Sequence, residues 1–281
     1  MHEAPQTWHY GLIARWWSEF NQDGPEIAYF QRFIERAGEP ALDVGCGTGR
    51  LLLPYLRAGL DVDGCDVSRD MVALCHERAA REGLTPSLFV QAMHDLDLSR
   101  PYKTIFVCGA FGLGSTRDQD LEALRRFHNH LEPGGTLVLD NEVPYADSSV
   151  WRYWLKEARS SLPEALEPSS GRRLGSDGAE YSLRSRIVEL DPLDQTVTLE
   201  MRAEMWRDGK LSGEEDHTLN MHMYFRDELL LMLQGAGFAD IIVQGGYTGE
   251  EATADHDVLV FVATKGDEAG VGGSGLGSHD R

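Results

Sequence analysis

Positive charge is scarce in this 281-residue chain, where 26 Lys and Arg stand against 46 Asp and Glu for a formal net charge of −20. So acidic a surface repels phosphate backbones and anionic headgroups, which argues against nucleic acid and membrane as partners and leaves neutral or cationic small molecules compatible. Long apolar runs are missing too: none reaches the roughly 18 uninterrupted residues that a membrane helix needs. The N-terminus "MHEAPQTWHYGL" has neither the basic start nor the apolar centre of a signal peptide, so a cytoplasmic location is expected. Cysteine is sparse, and Cys46, Cys65, Cys75 and Cys108 show no CxxC spacing. That favours buried free thiols over a metal site or disulfides, and no metal is expected. With 42% hydrophobic residues, the chain can form one soluble domain with additions, or at most two.

Glycine is concentrated rather than scarce. The stretch "ALDVGCGTGR", residues 41 to 50, places Gly45, Gly47 and Gly49 at alternate positions directly after an apolar run. Around it, short β-type runs alternate with helical ones. Amphipathic helices are expected over 8 to 20 and 25 to 38, the second closed by Gly38. A strand at about 41 to 45 follows, then a helix at about 49 to 58, the strand "LDVDGCDV", and a helix capped by Ser68 and Gly83. "SLFVQAM", "TIFVCGA" and "GTLVLDNEV" read as further strands, the last two separated by a helix. Such alternation predicts an α/β fold with a parallel sheet and helices on both faces.

After about residue 148 the pattern changes. A helix "SSVWRYWLKEARSSL" leads through a polar loop into three segments of period two, "YSLRSRIVELD", "TVTLEMRAEMW" and "HTLNMHMYF", with a bend at Asp208 and Gly209. They predict an inserted antiparallel ribbon. A helix and two strands, "DIIVQGG" and "DVLVFVATK", then return to the main sheet, and a glycine-rich tail is expected to be disordered. The expected boundaries are a helical lid at 1–38, the sheet domain at 39–147, the insertion at 148–224, the return to the sheet at 225–265 and the tail at 266–281.

At the end of the first strand of a parallel sheet, glycines permit tight turning and close backbone approach to a ligand. A dinucleotide site wants GxGxxG, but its third glycine position is held by Arg50. The run Asp43, Gly45, Gly47, Gly49 instead resembles the first motif of the class I S-adenosylmethionine-dependent methyltransferases. Asp66, at the tip of the second strand, can accept both hydroxyls of a ribose, a demand that NAD shares. The resemblance covers roughly residues 25 to 145 and 225 to 265, and continues in "LEPGGTLVLD". It implies a Rossmann-like sheet of seven mostly parallel strands, S-adenosyl-L-methionine as cofactor, and a cofactor site of Asp43, Gly45, Cys46, Gly47, Gly49, Asp66, Val67, Met71, Ala92, Met93 and Cys108. Met71 would pack near the adenine, although a plain core methionine has the same spacing. Many relatives have an acidic residue where Ala92 stands, so here the adenine contact falls to the Met93 backbone, Gln91 or Asp95.

Methyl transfer from a sulfonium needs alignment of donor and acceptor and exclusion of water more than it needs a catalytic side chain. Candidates for a base are Tyr10, His9, His94, His217 and His222, with Tyr10 and His217 put first. His217 and His222, five residues apart on one strand, point to opposite faces. The segment "TWHYGLIARWW" resembles the aromatic lid helix of the family. In layout the chain is similar to amino-sugar N-methyltransferases, which implies a small-molecule acceptor methylated at nitrogen or oxygen. A ribbon of this kind either pairs two subunits in a homodimer or covers its own site. Two other classes stay open: a non-catalytic cofactor-binding protein, and an NAD-dependent oxidoreductase, disfavoured by Arg50.

Overall fold

A computed structural model describes residues 7–168 and 171–266; the tail expected at 266–281 lies, beyond Gly266, outside the described residues. In chain order the first elements are α1 (Gly11–Phe20), α2 (Pro25–Ala37), β1 (Ala41–Val44), α3 (Leu52–Arg57), β2 (Val62–Asp66), α4 (Arg69–Arg81), β3 (Leu88–Val90), β4 (Tyr102–Val107), α5 (Arg117–His130) and β5 (Leu131–Glu142). Two short helices follow, α6 (Ser148–Trp151) and α7 (Lys156–Arg159), then β6 (Arg173–Leu174), β7 (Glu180–Asp191), β8 (Thr196–Arg207) and β9 (Lys210–His222). The chain closes the fold with α8 (Arg226–Gly235), β10 (Phe238–Gly245), β11 (Glu250–Glu251) and β12 (Val258–Lys265).

The main sheet has the order β11-β10-β12-β5-β4-β1-β2-β3. Its first five strands pair in parallel, while β12 runs antiparallel between β5 and β10. There are eight strands rather than the expected seven, because the two-residue β11 pairs with the end of β10. The period of two along β1 and β4 explains how both faces are covered. Leu42, Val44, Ile105 and Val107 turn to α5 and α8, whereas Ala41 and Phe106 turn to α2, α3 and α4. Tyr29, Phe30 and Ile34 of α2 are fully buried on that second face. Thus α2 is part of the sheet's cover, and of the expected 1–38 lid only α1 stands apart.

Local signals behave as their chemistry demands. The Ser68 hydroxyl accepts from the Met71 amide at 3.2 Å, and Gly83 beyond the end of α4 takes φ +71. Thr116 and Gln119 form a reciprocal capping box on α5. The helix expected over 148–162 is instead broken at Leu155, which is extended. There Tyr153 buries against Ile187, Leu190 and Val197 of the ribbon, while Arg159 reaches the carbonyls of Tyr153 and Trp154. The ribbon itself is a separate four-stranded antiparallel sheet, β6-β7-β8-β9, one short strand more than the three segments expected. Asp208 and Gly209 both take positive φ at the tight β8–β9 bend.

Helix α1 has no side-chain cap of its own, and its first amides are satisfied from afar. The Gly11 amide donates to Asp70 Oδ2 at 2.7 Å, from the start of α4, and the Leu12 amide to Glu215 Oε2 at 2.8 Å, from β9. Trp8, Leu12 and Ile13 share one apolar cluster with Tyr181, Met201, Ala203 and Leu219 of the ribbon. The ribbon therefore packs on the N-terminal helix of its own chain.

Candidate active site

The three glycines after β1 all take positive φ, at +75, +52 and +84 for Gly45, Gly47 and Gly49, yet they serve different purposes. A Cβ on Gly45 would lie 2.5 Å from Ala110 Cβ, so this glycine lets the loop after β4 close over the turn. On Gly49 it would meet Cys75 Sγ at 2.7 Å and Leu53 Cγ at 2.8 Å. Gly49 is thus a packing glycine behind the turn and does not border the cavity, contrary to expectation. On Gly47 it would meet nothing within 4 Å, because this backbone faces an open cavity of about 260 Å³.

That cavity lies at the carboxyl ends of β1, β2 and β4, where a parallel sheet places its ligands. Of the expected cofactor residues, Asp43, Gly45, Cys46, Gly47, Asp66, Val67, Met71, Ala92, Met93 and Cys108 all border it. The Gly45 and Cys46 amides donate to the Cys65 carbonyl at 2.8 and 3.0 Å, and the Gly47 amide to Asp66 Oδ2 at 2.9 Å. The Ser68 amide donates to the other Asp66 oxygen at 2.8 Å. Turn and strand tip form one hydrogen-bonded unit. Burial raises the Asp66 carboxyl above its ordinary range, opposed by those two amides.

Asp43 is pushed up as well, by burial and then by Asp66 nearby, opposed by the Leu52 amide. It is 3% exposed and makes no ion pair among the described residues. A buried carboxylate without a cation, beside a glycine cradle that a side chain would fill, fits a ligand carrying positive charge. Asp66 fits a ribose, and Arg50 fits a carboxylate. The Arg50 guanidinium pairs with Glu26 of α2, lies 3.6 Å from Cys108 Sγ and borders the cavity. Sequence reading used Arg50 only to exclude a dinucleotide motif and missed its place on the cavity wall, which depends on α2 approaching the turn.

At the far end, Ala92 and Met93 border the cavity with Gln91 and His94. The Gln91 side chain accepts from the Asp97 amide at 3.1 Å, while Asp95 is exposed and does not border the cavity, which removes it from the adenine candidates.

Neither residue put first as a base borders the cavity. Tyr10 precedes α1, and burial, then Asp66 and Asp70, raise its hydroxyl above the ordinary value. His217 lies 3.2 Å from Glu215 Oε2, on the ribbon face that holds α1. Its alternation was read correctly, but the face bearing it meets the helix. His9 does border the cavity; burial pushes it down to about 4, and it accepts from Trp8 Nε1 at 3.1 Å. His94 borders it too, 3.1 Å from the Gln119 side chain. Asp120, also on the wall and 3% exposed, accepts from the hydroxyls of Ser115 and Tyr224. All four cysteines are free, and the described residues hold no group of three or more His, Cys, Asp or Glu suited to a metal.

Residues 41–135 match the family described as "Methyltransferase domain". The chain is 30% identical over 124 residues to the dTDP-3-amino-3,4,6-trideoxy-alpha-D-glucopyranose N,N-dimethyltransferase of Streptomyces venezuelae, a match covering 43% of this chain and 50% of that protein. Its fold is similar to an S-adenosylmethionine-dependent methyltransferase from Clostridium acetobutylicum ATCC 824, with TM-score 0.66 and 16% identity over 90% of this chain and 96% of that one. It is similar also to the sugar N-methyltransferase KedS8 from Streptoalloteichus sp. ATCC 53650, with TM-score 0.65 and 17% identity over 95% and 100% of the two chains. With its glycine turn tied to Asp66 and its eight-stranded sheet, the chain carries a methyltransferase domain at residues 41–135 on the fold of the S-adenosylmethionine-dependent methyltransferases.

Proposed function

We propose that the protein transfers the methyl group of S-adenosylmethionine to a nitrogen of a small-molecule acceptor, an amine of the amino-sugar type. The observation that carries this reading is the union of the Gly47 turn, Asp66 and Asp43, a buried acid with no ion pair among the described residues, around one cavity. When bound there, the donor supplies a sulfonium-activated methyl that a nucleophile displaces in line. The chain's own part is to hold and to shield. Asp66 would take the ribose hydroxyls, Asp43 would face the donor's positive charge and Arg50 its carboxylate, while α1 and the ribbon exclude water.

Nitrogen is favoured over oxygen by the acidity around the site and by what the named relatives methylate. No helix among the described residues is long and apolar enough to cross a membrane. Four unpaired cysteines support a reducing, cytoplasmic setting. The ribbon's packing on α1 supports its service as a cover for its own site rather than as a dimer contact.

Calorimetry with S-adenosylhomocysteine, followed by a labelled-donor screen of amines and alcohols, tests the reading. Tight binding with methylation of an amine is expected. A folded protein that does not bind S-adenosylhomocysteine would overturn it.

A further inference from the structure

If a small amine is methylated, it needs a place beside the donor cavity. A second cavity of about 160 Å³ adjoins the first, and the two share Gly109, Ala110 and Leu113. One side of it is apolar, with Phe111, Met221 and Met223; the other presents Asp140, Glu142 and Asp147. No Lys or Arg among the described residues borders it, the cation acting on Asp140 being Arg50 of the first cavity. Asp140 is fixed by the Gly109 amide at 2.6 Å and the Tyr247 hydroxyl at 2.7 Å. Burial, then Asp147, Asp257 and Asp140, raise the Glu142 carboxyl, so these groups repel one another and a cation among them would relieve the repulsion.

Carboxylates alone do not make a site, but His222 borders the same chamber. Its side chain is 9% exposed, and its Nδ1 is buried with no aligned hydrogen-bond partner. That nitrogen lies 3.2 Å from Asp120 Oδ2, a carboxylate already anchored by Ser115 and Tyr224. The His222 backbone is held as well, its amide donating to the Gly112 carbonyl at 2.9 Å. Nε2 makes no hydrogen bond among the described residues, and the residue borders the chamber. Most buried polar side-chain atoms have a hydrogen-bond partner, so a histidine nitrogen left without one at a chamber wall calls for an explanation. Base and orienting carboxylate often stand slightly out of line until substrate tightens them.

Resting on the methyltransferase reading above, we propose that this second chamber receives a protonated amine lacking phosphate groups, and that His222, oriented by Asp120, removes its proton. Asp140, Glu142 and Asp147 face the incoming ammonium. One N–H proton passes to His222 Nε2, which frees the nitrogen lone pair. That pair forms the new N–C bond as the C–S bond breaks with its electrons kept by sulfur. The methylated nitrogen then carries the positive charge that the sulfonium has lost, and the imidazolium, facing Asp120, gives its proton to solvent after product leaves. The absence of a bordering cation separates this acceptor from a nucleotide-linked sugar, whose diphosphate the three carboxylates would repel.

The test uses the full chain with labelled S-adenosylmethionine and three probes: free amino sugars such as glucosamine, alkylamines, and a dTDP-linked amino sugar. S-adenosylhomocysteine binding is measured in every variant, so that a failure of donor binding in the parent, which sinks the methyltransferase reading, is told apart from a failure at the chamber. Methylation of a free amine is expected, falling at least a hundredfold in kcat in His222→Gln, with KM and S-adenosylhomocysteine affinity within about twofold. Added imidazole should restore part of the rate of His222→Ala, which a structural role would not allow. Glu142→Gln should raise KM for the amine several-fold with kcat spared. The proposal is overturned if the donor binds but no free amine is methylated, if only the nucleotide-linked sugar is accepted, or if His222→Gln is as fast as the parent.

Discussion

The Gly47 amide donates to the Asp66 carboxylate at 2.9 Å, joining the turn after β1 to the tip of β2. Asp66 thus holds the shape of the turn, beside the ribose contact proposed for it. Asp66→Ala removes two ribose contacts, each worth about 1.5–3 kcal/mol as hydrogen bonds to a charged group, and frees the turn. S-adenosylhomocysteine affinity measured by calorimetry should drop far more than tenfold; a loss below tenfold would assign the ribose to another residue.

Gly47 and Gly49 should separate cleanly on substitution. Gly47→Val places its side chain in open cavity, so it costs roughly 1–2 kcal/mol of backbone strain at positive φ and abolishes donor binding. Gly49→Val must displace Cys75 and Leu53, and should lower the melting temperature more than Gly47→Val does. Equal melting temperatures for the two variants would contradict this division.

The latch on α1 predicts a third outcome. Glu215→Ala leaves the Leu12 amide without its acceptor, an effect comparable to loss of a helix cap, about 1 kcal/mol. Amide exchange across residues 11–20 should accelerate several-fold and acceptor KM should rise, whereas Tyr10→Phe, whose ring lies outside the cavity, should keep kcat within about twofold. A large fall in kcat for Tyr10→Phe would put the hydroxyl back into the reaction.

His9 gives a pH dependence with a definite sign. Burial holds it down at about 4, against an ordinary value of 6.5. Between those values the unfolded chain binds a proton that the native state refuses, so stability is full above pH 6.5 and is lost as pH falls toward 4. Melting curves for His9→Gln should decline less than the parent's across that window; parallel declines would show that other groups control it.

The turn and the strand tip were legible because backbone geometry marks them: glycine adopts the +75, +52 and +84 torsions most readily, and an acidic residue ends β2. His222 was among the candidate bases, but neither its place beside Asp120 nor that of Arg50 beside Glu26 was legible, since both depend on how α2 and β9 dock. His217 and His222 were correctly set on opposite faces, yet the register that pairs Met201 with His217 turns that histidine's face toward α1. The strands β6 and β11, two residues each, arise from backbone pairing with no hydrophobic alternation to announce them.

The strand order carries a consequence for biosynthesis. Because β12 sits between β5 and β10, the strand made before it cannot take its place first. While the ribbon and α8 emerge from the ribosome, the flank of β5 offers its unpaired peptide groups to any passing extended chain. Until Val258–Lys265 pairs with it, the flank of β5 remains the open edge of the sheet.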